Sequence, residues 1–559
     1  MPAQTIEDKA EMRVDRTLIG SATKERKWLI PVVTLAVVYF VVGILALSLW
    51  HSTDSDFSKQ LQIARMLSVA PFVPALAALS IWWRQVLAFL RSFILADTAP
   101  VNLAIARIVV FSILFLYIDV DNLACCTNLL TDLRSIPHLS WLNYWLPINT
   151  TAVLIAAIVC RLACVAGVLG FSTRFFSLLA LFTCMYAVSV NQCFGVTNHK
   201  CDSLIWFVAI LAASPCADVL SLDALRSTSG RRIVRRGHIA PSWRYGLPIR
   251  TMWLLFGIIY FFPGFWKFWR FGFDWALGEN FRHILSFCSI TADPGLPIFN
   301  VEPFPLLYKL SGLAVIGFEL SFVFLVLFRQ ARVFAVIFGF LFHCATFVFM
   351  GISFWTLQAC YLIFLDWSAL LKKLSNCQIV EDICKTYATP IESFGDAIVG
   401  RAGLPMMPIV CASLILVNTL LGALGKENCF PFACYPSFAF PFKTEYKSIR
   451  LEALDRDGRM IPLDLDHEMM FLFHHRLSVM DKIQAIGDVD LRHRALLTLW
   501  HSCLRTVSRL KRTELNRAVD LKFYRETISV MPQPETWSLS IQPLWQVSLR
   551  NGDLNSGVE

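Results

Sequence analysis

The chain has 559 residues, 56% of them hydrophobic and 16% charged, with a mean hydropathy of +0.57 and a formal net charge of +9. Soluble globular proteins carry about 25% charged residues, so this composition excludes an ordinary soluble enzyme, a disordered chain, a collagen-like fibre and a small disulfide scaffold. The charge is also uneven: 35 of the 135 residues from 425 onward are Lys, Arg, Asp or Glu, against 56 of the 424 before them. A charge-poor body followed by a segment of soluble composition removes a nucleic-acid reading of the positive balance.

In chain order, the expected architecture is mainly α: a polytopic transmembrane helical bundle of about eleven spans with a small C-terminal α+β extramembrane domain. A span needs about 20 apolar residues in helical form, because open backbone leaves unpaired polar groups in lipid. Residues 1–27 read as a cytoplasmic tail with no cleavable signal peptide. Residues 28–98 read as additional membrane helices (28–50 and 64–83) plus an interfacial amphipathic helix over 84–97. A membrane domain over 99–424 follows, with spans at 102–121, 150–171, 174–192, 203–221, 249–268, 306–328, 331–352, 354–371 and 404–424.

Basic residues fix the expected orientation. Lys and Arg concentrate in 1–27, in 222–248 (Arg226, Arg231, Arg232, Arg235, Arg236 and Arg244) and in 372–403 (Lys372, Lys373, Lys385 and Arg401). With eleven spans all three segments fall on the cytoplasmic side, which puts the amino terminus inside and residues 425–559 outside, in an organelle lumen or a periplasm. That outer region reads as an α+β cap. It opens with a Pro/aromatic stretch over 429–442. A hairpin turns at Asp455-Arg456-Asp457-Gly458, a helix covers 489–512, and strand-like runs return over 520–549. The sequon at Asn149 lies on the expected outer side.

Several motif-like strings carry no chemistry. Of the 17 cysteines none forms a CxxC; Cys160 and Cys164 lie inside a span and read as small buried hydrophobes. Cys193 with Cys201 and Cys429 with Cys434 are the nearest outer pairs, and an outer face permits a disulfide there. His467-Glu468-Met469-Met470-Phe471 has Phe where a zinc protease needs its second His. The 455–458 turn has no later Glu to make a calcium loop.

Ionisable groups at membrane depth are costly and mark candidate sites. Three positions stand out: Asn198-His199-Lys200 at the outer entrance to the 203–221 span, Lys267 near the outer end of 249–268, and His343 in the middle of 331–352. Each has a bland reading. A lysine among aromatic residues at a helix end is commonly an interfacial anchor, a mid-span histidine a hydrogen-bonded core residue, and Trp266, Trp269 and Trp275 an interface belt.

The strings together resemble a known family. Asn198-His199, Ser214-Pro215-Cys216 and Ser221-Leu222-Asp223 form one block; Tyr260, Gly264, Lys267, Asp274, Trp275, Gly278, Arg282 and His283 form a second; Glu319, Arg332, Phe342-His343-Cys344 and Gly351-Ile352 form a third. These blocks resemble the HTTM domain, the membrane part of vitamin K-dependent gamma-glutamyl carboxylase and of related proteins, over about residues 99–371. The resemblance implies that Lys267 is the base that deprotonates a reduced vitamin K or another quinol. It implies that His199 assists carboxylation, and that His343, with Asn198 and Trp266, lies at the quinone pocket. The implied co-reactants are O2 and CO2, and the implied partners are a membrane lipid or quinone and a secreted peptide or protein substrate. An amine kept dry against Phe265, Trp266 and Phe268 favours its neutral, basic form. A glutamate γ-proton is too weakly acidic for any side chain to remove, which is why such chemistry needs a cofactor. Two departures are visible. The carboxylase has a second lysine before its catalytic one where this chain has Trp266, and its outer region is much larger than the 135 residues that follow residue 424 here.

The second reading is a non-enzymatic membrane protein that binds a lipid and serves export, maturation or immunity.

Overall fold

The computed structural model describes residues 72–120, 123, 127, 149–191, 201–226, 240–291, 296–374, 406–426, 429–432, 438–439, 445–461, 476–506, 512, 514–529 and 538–549. The expected tail 1–27 and span 28–50, the loop residues Asn198, His199 and Lys200, Cys193, Cys434 and the 467–471 string lie outside them. The helices are α1 (Phe72–Ile94), α2 (Pro100–Tyr117), α3 (Thr150–Leu169), α4 (Thr173–Asn191), α5 (Asp202–Ala213), α6 (Leu222–Arg226), α7 (Trp243–Phe271), α8 (Asp274–Leu277), α9 (Glu279–Thr291), α10 (Pro305–Leu325), α11 (Arg329–Met350), α12 (Trp355–Cys360), α13 (Trp367–Leu374) and α14 (Met406–Ala423). The cap adds β1 (Glu445–Leu454), β2 (Met460–Ile461), α15 (Arg476–Ala485), α16 (Val489–Thr506), β3 (Asp520–Ser529) and β4 (Ser538–Ser548).

Among the described residues seven helices are long and apolar enough to cross a membrane: α2, α3, α4, α7, α10, α11 and α14. Their outer faces are greasy. On α11 alone Val333, Phe334, Ile337, Phe338, Phe340 and Leu341 are exposed. Apolar faces of this extent suit lipid better than water, and by length and composition these helices suggest a membrane protein.

Among the described residues, three of the eleven expected spans differ from that reading. α5 stops at Ala213, because Ser214 precedes Pro215 and is pushed to an extended conformation (φ −101°, ψ 163°). Twelve residues reach about 18 Å, short of a hydrocarbon core of about 30 Å. The expected 354–371 span is likewise broken. α12 tightens into a 3-10 turn at Tyr361–Phe364, and Asp366 then starts α13 by accepting from Ser368 Oγ (2.6 Å) and Ala369 N (3.2 Å). The described part of 64–83 and the interfacial segment 84–97 form one helix, α1, kinked at Trp82 (φ −108°, ψ 18°).

Helix ends are tied down as their residues dictate. The sequon residue Asn149 caps α3 by accepting from Ala152 N at 2.7 Å. Gly170 ends that helix in the left-handed conformation (φ 65°). The fully buried Arg107 donates to the carbonyls of Leu220 (2.5 Å), Cys216 (3.0 Å) and Val168 (3.4 Å), so one guanidinium satisfies groups at the end of α3 and in the turn after α5. Asp223 accepts from Ser172 N, Thr173 N and Thr173 Oγ1, each at 2.8 Å, and so caps α4 from a neighbouring helix.

α7 is the axis of the body: 29 residues with Pro248 and Pro263 in its interior, buried along most of its length. The cap agrees with the sequence reading. β1 and β2 pair antiparallel across the turn at Asp455–Gly458, where Asp455 Oδ1 accepts from Asp457 N and Arg459 N. The sheet order is β2-β1-β3-β4, antiparallel throughout. Tyr446 on β1 packs at a tilt against Phe287 of α9 with ring centroids 4.8 Å apart, which seats the sheet on the helical body.

Candidate functional site

Tyr260, Gly264 and Lys267 stand at i, i+4 and i+7 of α7, on the stripe that faces α10. The glycine sets the spacing. A Cβ at Gly264 would lie 2.7 Å from Glu319 Cβ and 3.1 Å from Leu320 N, so only glycine lets the two backbones approach this closely.

Where they meet, Lys267 Nζ contacts both carboxylate oxygens of Glu319, at 2.6 Å and 2.8 Å. Both residues are enclosed, Lys267 2% exposed and Glu319 6%. The ammonium sits 5.0 Å from the centre of the Trp275 ring, and Trp275 is itself oriented by donating from Nε1 to Phe438 O at 2.8 Å. Phe268, Phe273, Ile316 and Met350 belong to the same apolar cluster. A charged pair in such surroundings holds only because its hydrogen bonds are short and complete. Beyond it, Arg282 Nε pairs with Glu302 at 2.6 Å and Nη1 with Glu279 at 3.2 Å. Burial would lower the Arg282 guanidinium, but those two carboxylates outweigh it and hold it above its ordinary value.

Two turns toward the middle of α7, about 10 Å along the helix, a second polar centre appears. Tyr260 Oη lies 2.5 Å from His343 Nε2 and 2.9 Å from Tyr361 Oη. Gly339, one turn before His343 on α11, makes room for it: a Cβ there would sit 2.1 Å from Tyr361 Oη. The rings of Phe318, Phe322, Phe342 and Phe354 close around this trio. His343 is 2% exposed, and its Nδ1 has no hydrogen-bond partner. An orphaned nitrogen in an aromatic enclosure is the kind of atom that asks for a ligand hydroxyl.

The structure places the sequence-predicted residues as follows. Lys267 and His343 are both buried on inward faces and are linked through α10, where Phe318 packs on Tyr260 and the next residue, Glu319, pairs with Lys267. Trp266 points elsewhere, donating from Nε1 to Gly422 O of α14 at 2.8 Å. Asn198 and His199 lie outside the described residues. The partners of Lys267 and His343 were not assigned roles from sequence. Glu319 is the lone acid in the 306–328 run, and that isolation was the available signal. Tyr361 had no signal, since its hydroxyl arrives only through the break between α12 and α13.

Among the described residues no group of three or more His, Cys, Asp or Glu is arranged to hold a metal ion. No family model, curated protein or solved structure matches the chain.

Proposed function

We propose that the chain is an HTTM-type membrane enzyme that oxidises a quinol, with Lys267 as the base and its site on the extracytoplasmic side. The observation that carries the reading is the buried Lys267–Glu319 pair, a titratable couple at membrane depth where neither charge has a structural need to be. The residue types here support a quinol as the ligand class. The ligand class is an apolar ring with hydroxyl groups, and this region offers an amine, an unpartnered imidazole nitrogen and aromatic walls. When bound, the quinol supplies the oxidisable ring that, with O2, yields an epoxide and water and makes a base strong enough to prepare a glutamate for CO2.

The chain's own part is proton handling and exclusion of water. A proton that crosses the 2.6 Å contact from Nζ to Glu319 leaves a neutral amine, whose lone pair can take a phenolic proton. Glu319 then acts as the local proton store, and Trp275 fixes the amine's position. His343 Nδ1 holds a ligand hydroxyl, while Tyr260 fixes the ring through Nε2.

The test uses the purified full chain in lipid nanodiscs with reduced vitamin K and O2, with and without a glutamate peptide and CO2. Epoxide formation by the wild type, absent in Lys267→Ala at equal expression, supports the reading. No epoxide from the wild type, or equal epoxide from the variant, sinks it. A non-enzymatic, lipid-binding role is the second reading, favoured by Glu319 neutralising Lys267 so fully; it is the one left standing by that negative result.

A further inference from the structure

Four cysteines meet where α3, α4 and the start of α5 pack together. Cys160 and Cys164 come from consecutive turns of α3, Cys184 from α4, and Cys201 is the residue that caps α5; all four are buried. Cys160 Sγ lies 3.9 Å from the carbonyl oxygen of Ala180 on α4, and Cys184 Sγ lies 4.0 Å from Cys201 Sγ. A row of four thiols in one helical layer is more than packing by small hydrophobes requires.

We infer that Cys184 and Cys201 form a disulfide that staples α4 to the start of α5. A disulfide needs its sulfurs about 2.05 Å apart, so closing the 4.0 Å gap asks for about 2 Å of travel. Cys201 can supply it. It caps α5, its carbonyl accepting from Leu204 N and Ile205 N while no hydrogen bond engages its side chain as a cap. Cys160 and Cys164 are poorer partners, because both stems are fixed within the packed interior of α3, and residues at i and i+4 of one helix cannot bring their sulfurs together without breaking it. The pairing differs from that suggested by sequence proximity, Cys193 with Cys201. It joins the second half of α4 to the residue that caps the start of α5.

The bond forms by exchange with a soluble disulfide before α4 and α5 close over the two sulfurs. One chain thiolate attacks the soluble disulfide and releases a thiol. The second chain thiolate then displaces the other, so two chain thiols are oxidised, one soluble disulfide is reduced to two thiols, and the protons pass to the leaving groups. This inference is independent of quinol chemistry.

The experiment is peptide mapping of the full chain, alkylated with N-ethylmaleimide from lysis onward and digested without reductant. The expected result is a cross-linked peptide joining Cys184 to Cys201 that disappears on reduction. Reduction should also lower the unfolding temperature of the wild type but leave that of a Cys184→Ser/Cys201→Ser variant unchanged. Full alkylation of both residues, or Cys201 joined to Cys193, or Cys184 joined to Cys160, overturns the assignment.

Discussion

Replacing Lys267 with Met isolates the charge of the buried pair, because the Met stem keeps the packing against Trp275 while removing the ammonium. Glu319 then loses both of its short contacts, at 2.6 Å and 2.8 Å, and at 6% exposure has little access to solvent in their place. Removing one partner of a buried ion pair costs about 3–5 kcal/mol, most of it the uncompensated charge left behind. Removing both is different: a Lys267→Met/Glu319→Leu double variant fills the site with apolar volume and should recover most of that loss, since hydrophobic replacement of a buried pair is often neutral. The assay is SDS-driven unfolding in mixed micelles, followed by tryptophan fluorescence, for wild type, both single variants and the double. The reasoning fails if Lys267→Met lies within about 1 kcal/mol of wild type, or if the double variant is as unstable as the two singles added together. Activity separates structure from chemistry: a stable double variant that still forms epoxide would show that the amine is not the base.

Other parts of the structure yield independent tests. Gly264→Ala drives a Cβ to 2.7 Å from Glu319 Cβ; overpacking of this kind should cost about 1–3 kcal/mol in the same unfolding assay. Tyr260→Phe removes the hydroxyl shared by His343 and Tyr361 and should cost about 1–3 kcal/mol for the buried group left unsatisfied, without touching the Lys267 pair. Burial raises the Asp223 carboxyl, but hydrogen bonds from Thr173 and Ser172 overcome it and hold the group below its ordinary value. Its folded value being depressed, the stability it lends is complete above the ordinary carboxylate value of about 4 and is lost as pH falls through the folded value. Asp223→Ala should flatten that acid limb and cost about 0.5–2 kcal/mol at neutral pH, as lost helix caps do. In the cap, His493 stacks on Trp545 with centroids 4.0 Å apart, and burial followed by Arg492 lowers its imidazole. Protonation therefore opposes the fold, so Trp545 fluorescence should report loosening as pH drops below about 6.5, and His493→Phe should abolish that dependence.

Much of the architecture was legible because it follows from solvent and periodicity. Long, predominantly apolar runs such as 331–352 have no alternative to a helix in lipid, and the Asp455–Gly458 turn between alternating strands leaves little choice but a hairpin. The misread spans failed for a local reason. Residues 203–221 and 354–371 are apolar enough on average, but Ser214-Pro215 and Asp366 each break the helix within the window, and an average over about 20 residues hides a break of one. Basic residues also take structural roles that no residue count assigns. Arg332 lies 4.0 Å from the Trp253 ring centre, and its Nε donates to Val326 O at 2.8 Å.

The candidate site was legible as positions and not as partnerships. Lys267 stood out from sequence because a lysine among aromatic residues in a span demands a reason. The reason lies 52 residues away, in Glu319, and pairing across two helices leaves no periodic trace. That partner changes the chemistry as well as the stability. An isolated lysine in hydrocarbon escapes its cost by shedding its proton into bulk solvent, and its basicity then depends on access to water. A lysine clasped by a carboxylate sheds the proton across one hydrogen bond and stays dry; once the amine has taken a ligand proton, the couple holds one proton more than at the start and must release it before the next turnover. Glu319→Gln therefore discriminates between the two designs. It preserves shape and one hydrogen bond yet removes the proton acceptor, so a base that relies on the pair should lose most of its turnover. A lysine titrating against water should keep it, with only its pH profile displaced.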